Sequence, residues 1–175
     1  MLAASERPDA FGAVVLVDIT PRMEQSGVDR ILSFMGERSA AGFASVEEAA
    51  DAIARYMPGR PRPSTNDGLA KNLRQRDDGR WYWHWDPRFV SGPLAVDSVV
   101  DERVDALEAG LAKLDCPILL VRGSRSDLVS ERAVADFRAA VPHADYVDIA
   151  GAGHMVVGDR NDAFAGAVLD FLDRL

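Results

Sequence analysis

Three short runs of nearly unbroken aliphatic residues constrain this chain more than anything else in it. They are AVVLVDI (Ala13–Ile19), PILLVRG (Pro117–Gly123) and ADYVDIAG (Ala144–Gly151). A strand with one face in water alternates apolar and polar residues, whereas a strand covered on both faces does not. The first two runs therefore predict buried parallel strands, and the third, which alternates more, predicts an edge strand. Between the second and third lies SERAVADFRAAVP, where Ser130 can cap a helix, Val134, Phe137 and Val141 share a face, and Pro142 ends it. After the third comes RNDAFAGAVLDFLDRL, with Phe164, Val168, Phe171, Leu172 and Leu175 at helical spacing. Strand, helix, strand, helix is the pattern of an α/β sheet with right-handed crossovers.

The stretch from Thr20 to Gly92 has another texture. GVDRILSFM and SVEEAADAIARYM predict helices, the second with a capping box from Ser45 and Glu48 and with Val46, Ala49, Ala50, Ile53 and Met57 facing inward. PGRPRPSTNDG is a turn-rich breaker, LAKNLRQR predicts a third short helix, and DGRWYWHWDPRF is an aromatic stretch. Val100, Val104, Leu107, Leu111 and Leu114 then predict a helix that returns the chain to its second strand. A helical insertion between sequential strands of one sheet predicts a lid over residues 21–92, with the sheet domain formed by residues 1–20 and 93–175.

Charge and cysteine content narrow the function. A formal net charge of −8 gives no electrostatic footprint for nucleic acid. The arginines at 60, 62, 74 and 76 are interleaved with Pro, Asn and Asp and read as solvated surface. The single cysteine, Cys116, excludes an internal disulfide and a cysteine zinc site. No apolar run approaches a membrane span and the charged start is no signal peptide, so the expectation is a cytoplasmic protein. No metal or organic cofactor is expected.

In open α/β sheets, ligand-handling residues lie in loops beyond the carboxyl ends of the strands. Here those loops cover residues 18–22, 123–127 and 151–154. The second offers Asp127 and the third His154, and adjacent parallel strands lie about 4.8 Å apart. A carboxylate that accepts Nδ1–H fixes the imidazole tautomer and leaves Nε2 to take a proton from a nucleophile. The predicted catalytic pair is Asp127 with His154. Asp18, which ends the first strand, is the alternative acid, but Asp127 fits better and Asp18 is expected to hold the following turn. Trp81, Trp83 and Trp85, with Met155, are predicted to line an apolar substrate pocket, the competing reading of the tryptophans being lid core. His84 has no second ligand at metal-binding spacing, and His143 is expected at the surface.

LLVRGSRSDLVSERAVADFRAAVPHADYVDIAGAGHMVVGDRNDAFAGAVLDFL resembles the C-terminal end of α/β-hydrolase-fold enzymes. The resemblance implies an acid in the G…D loop, at Asp127, and a base in the G-x-G-H loop, at His154. MLAASERPDAFGAVVLVDITPR resembles the helix after that family's nucleophile and the strand that follows, and the helices before the aromatic run resemble its lid. The implied activity is hydrolysis of small, fairly apolar carboxylic esters or related acyl compounds, without cofactor. Epoxide hydrolase, dehalogenase and haloperoxidase-like chemistry are alternatives within the same fold. The family's nucleophile elbow, G-x-[Ser/Cys/Asp]-x-G, has no match, since GSRSD lacks the second glycine. The expectation is therefore a chain inactive alone, whose first strand has a bare edge open to self-association or to a complementing segment. A non-catalytic small-molecule-binding remnant is the rival class. A nucleotide-binding domain fares poorly, because no phosphate-cradling glycine loop follows an early strand.

Overall fold

The computed structural model describes residues 1–90 and 101–175. In chain order the elements are α1 (Leu2–Glu6), β1 (Val14–Val17), α2 (Gln25–Gly36), α3 (Val46–Tyr56), α4 (Asp67–Ala70), β2 (Leu73–Gln75), β3 (Trp81–Trp83), α5 (Asp101–Ala112), β4 (Ile118–Gly123), α6 (Glu131–Ala140), β5 (Asp145–Ile149), α7 (Val156–Asp159) and α8 (Asn161–Leu172). They fall into two compact units, one of Met1–Val28 with Val99–Leu175 and one of Asp29–Ser98. Val100 and the predicted boundary at 92/93 lie outside the described residues.

The first unit is an α/β layer built on a parallel sheet in the order β1-β4-β5. Val14 stands opposite Ile118 and Val17 opposite Val121, while Leu119 stands opposite Asp145 and Gly123 opposite Ile149. The middle strand, β4, is buried along its whole length, as its continuous apolar run requires. Arg122 is tolerated there because its Nε donates to the Val129 carbonyl at 2.7 Å and its Nη1 pairs with Asp148 at 3.1 Å. Strand β5 takes the predicted edge position and shows the marks of an edge, with Asp145 and Asp148 exposed.

Leu119, Val121, Ile149, Ala152, Val156 and Phe171 form the core on one face of this sheet, with Val15, Val17, Phe164 and Ala167 partly buried around them. The predicted inner face of α8 is narrower than its spacing suggests. Only Phe171 is buried, while Leu172 and Leu175 are exposed, because three strands give the helix a small floor. Helix α6 follows its sequence closely: the Ser130 hydroxyl accepts from Ala133 N–H at 3.1 Å, and Ala133, Val134 and Phe137 are buried.

The second unit has its own core of Phe43, Ala49, Ala52, Leu73 and Trp83. The predicted capping box starts α3: Ser45 Oγ accepts from Glu48 N–H at 3.2 Å and Glu48 Oε2 accepts from Ala44 N–H at 2.6 Å. LAKNLRQR is not a helix beyond Ala70. Its Leu73–Gln75 segment pairs antiparallel with Trp81–Trp83. The reason is turn chemistry. Asp78 Oδ1 accepts from Arg80 N–H at 2.9 Å and Gly79 adopts φ +77°, which closes a hairpin before a helix can propagate.

Candidate active site

Three strand ends meet on one side of the parallel sheet. β1 gives way to Asp18, fully buried and at φ +50°, a left-handed conformation that Asp tolerates better than most residues. Its N–H donates to the Val121 carbonyl at 2.7 Å, which ties it to β4. β4 ends at Gly123, where a Cβ would lie 2.2 Å from the Gly153 oxygen and 2.8 Å from the Ala152 oxygen. Only glycine lets the β4 end and the loop after β5 approach this closely. That second loop turns at Gly151, φ +75°, whose N–H donates to Ser124 Oγ at 2.9 Å. It is held further by the Asp159 carboxylate, which accepts from Gly153 N–H at 2.9 Å.

The loops deliver His154, about one quarter exposed, with Nδ1 at 2.8 Å from Asp18 Oδ2. Gly123 N–H donates to Asp18 Oδ1 at 2.9 Å and Ser126 Oγ–H to Oδ2 at 2.6 Å. An ionised carboxylate, already taking these two donors, can only accept, so in its contact with His154 the hydrogen belongs to Nδ1. In the neutral ring Nε2 then carries a bare lone pair, the form a general base requires.

The acid predicted from sequence is therefore replaced. Asp18, not Asp127, is the carboxylate on His154. The turn after Gly123 directs the Ser126 hydroxyl toward Asp18 and leaves the Asp127 side chain, one residue on, exposed. Beyond it the chain lies against the start of α2: a Cβ on Gly27 would fall 2.4 Å from the Asp127 oxygen, and Glu24 N–H donates to the Leu128 carbonyl at 2.9 Å. A signal for Asp18 was present in the sequence, since a carboxylate closing a buried apolar run must find partners. Ser126 carried none.

Met155 is exposed beside His154. Trp81, Trp83 and Trp85 belong to the second unit. Trp83 is buried in that unit's core, T-shaped against Phe43 and stacked on Trp85 with ring centroids 4.5 Å apart. For Trp83 the core reading holds, while Trp81 and Trp85 are only half-buried. His84 and His143 are exposed. Among the described residues no three His, Cys, Asp or Glu side chains converge as metal ligands would. Nor is any helix among them long and apolar enough to cross a membrane.

Comparison with known proteins agrees with this architecture. An esterase of Mycobacterium tuberculosis is 32% identical over 97% of this chain and 55% of its own length. Its crystal structure superposes with a TM-score of 0.72 at 28% identity, covering 97% of this chain and 57% of that one. A 2-(acetamidomethylene)succinate hydrolase of Mesorhizobium japonicum is 28% identical over 98% of this chain and 59% of its own length. An α/β hydrolase of Novosphingobium aromaticivorans shares the fold with a TM-score of 0.76 at 23% identity, over 99% of this chain and 61% of that one. The chain thus spans little more than half the length of these relatives. The profile of the alpha/beta hydrolase family matches residues 2–167, and the chain belongs to that family.

Proposed function

We propose that this chain carries the acid–base half of a hydrolase acting on carboxylic esters or related acyl compounds. The observation that supports this best is the 2.8 Å contact between His154 Nδ1 and the buried Asp18 carboxylate, in the loops after β5 and β1, the two strands that flank β4. In this reading His154 Nε2 withdraws the proton of a nucleophile and returns it to the leaving group. Asp18 orients the ring and stabilises the imidazolium without itself taking the proton. Ser126 is not the nucleophile, because its hydroxyl lies on the Nδ1 side and is given to Asp18. That relatives are named as an esterase and as a 2-(acetamidomethylene)succinate hydrolase supports the same broad chemistry.

The nucleophile comes from a segment that completes the sheet at β1. The support is the character of that strand: VVLV carries no charge to guard an edge, and among the described residues it pairs with β4 alone. The test is turnover of p-nitrophenyl acyl esters by the chain combined with the part of the Mycobacterium esterase that it does not align with. His154→Ala and Asp18→Asn should each lower turnover by about 10³–10⁴-fold, and Asp127→Asn should leave it nearly unchanged. Full activity in Asp18→Asn, or its loss in Asp127→Asn, sinks the assignment. Binding of an apolar ester without turnover would instead favour a non-catalytic binding module.

A further inference from the structure

Ser126 has a single hydrogen and two lone pairs on Oγ. The N–H groups of Leu128 and Val129, at 3.1 and 3.0 Å, take the lone pairs, so the hydrogen is committed to Asp18 Oδ2 at 2.6 Å. Gly123 N–H occupies Oδ1 at 2.9 Å. Both Asp18 oxygens thus receive a hydrogen, which favours the charged carboxylate, and Ser126 cannot reverse its bond without abandoning one of those two N–H groups.

We propose that Ser126 is a positioning residue that fixes where the charge resides once His154 is protonated at Nε2. When Nε2 gains a proton, from solvent or from a nucleophile's hydroxyl, both ring nitrogens carry hydrogen and the pair holds one shared hydrogen between Nδ1 and Oδ2. Two arrangements then have the same atoms: carboxylate with imidazolium, or carboxylic acid with neutral Nε2–H imidazole. The hydroxyl of Ser126 favours the first, because the hydrogen bond it donates is stronger to a charged carboxylate oxygen than to the oxygen of a carboxylic acid. The inference rests on the Asp18–His154 reading and extends it to a residue three positions past Gly123, on the loop first expected to supply the acid itself.

The ring nitrogens of His154 report the outcome directly. In the ¹⁵N-labelled chain with Nε2 protonated, both should bear hydrogen. Ser126→Val removes the hydroxyl and Ser126→Thr keeps it in nearly the same shape. The valine variant should lower the ratio of ion pair to neutral pair by about ten- to a hundredfold, the worth of one hydrogen bond to a charged group, while the threonine variant retains the wild-type spectrum. If Ser126→Val fails to fold, Ser126→Ala gives the same comparison. Ring spectra that coincide in the valine (or alanine) and threonine variants, with only the Leu128 and Val129 amides exchanging faster, would reduce Ser126 to a turn former and overturn the proposal. Asp18→Asn separates the two levels. An unchanged His154 spectrum there defeats the Asp18–His154 reading itself, whereas a changed one leaves only the Ser126 step to be judged.

Discussion

Gly123 is where a single methyl group would disturb the site most. Its missing Cβ leaves room for backbone oxygens of the His154 loop, at 2.2 and 2.8 Å from the position a side chain would take. Backbone atoms cannot swing aside as a side-chain tip can, so Gly123→Ala should cost about 1–3 kcal/mol or more of stability. Gly166, in α8, meets nothing within 4 Å, and Gly166→Ala should add about 0.5–1 kcal/mol through helix propensity. Urea unfolding of the two variants against wild type checks both signs. His154 was legible in the sequence because a glycine-flanked histidine just after an apolar run has few other uses. Its acid was not, because Asp18 and Asp127 both close strand-end loops. Only the turn at Ser124–Leu128 decides which carboxylate meets the ring, and that turn is fixed by contacts with Glu24 and Gly27, far away in sequence.

At the scale of elements, β1 and the β2–β3 hairpin carry separate predictions. In β1 the N–H groups of Val14 and Asp18 point to β4, at 2.9 and 2.7 Å, so by alternation those of Val15 and Val17 point to the other side. Val15→Pro removes an outward donor and should leave the chain folded while abolishing association with a completing segment, read by sedimentation velocity. Leu16→Pro removes an inward ladder bond and should unfold it. Equal behaviour of the two variants would dismiss the open-edge account. In the hairpin, hydrogen bonds from Arg80 N–H and then Tyr82 Oη–H hold the Asp78 carboxyl below its usual range, and Asp78 in turn holds the Tyr82 phenol above its own. A lowered acid contributes stability that is present above its unfolded value and lost as pH falls through the folded one. A raised phenol contributes stability that is present below its unfolded value and lost as pH rises past the folded one. Tryptophan fluorescence should therefore show the hairpin loosening at both acid and alkaline extremes, and Asp78→Asn should flatten both limbs. The strands of the sheet were readable because continuous apolar runs admit few alternatives. The hairpin was missed because Leu73–Gln75 is short and fits a helical pattern equally well until the Asp78–Gly79 turn is weighed.

Across the whole molecule, the α/β class and the edge position of β5 followed from three apolar runs, while the unit Asp29–Ser98 holds a hairpin where the sequence predicts a third helix. The chain covers 55% of the Mycobacterium esterase, and its β1 has the composition of an interior strand. Both observations support the proposal that a completing segment pairs on the far side of that strand. The bond from His154 to Asp18 joins positions 136 apart, and the one from Ser126 to Asp18 joins positions 108 apart. Contacts of such span are the last a folding chain can afford, since the entropy of closing so large a loop must be met by nearer contacts first. The imidazole is thus a clock as well as the proposed base. Its bonded Nδ1 hydrogen can exist only after the two ends of the polypeptide have found each other, so during refolding it marks the moment at which the chain becomes a single cooperative object.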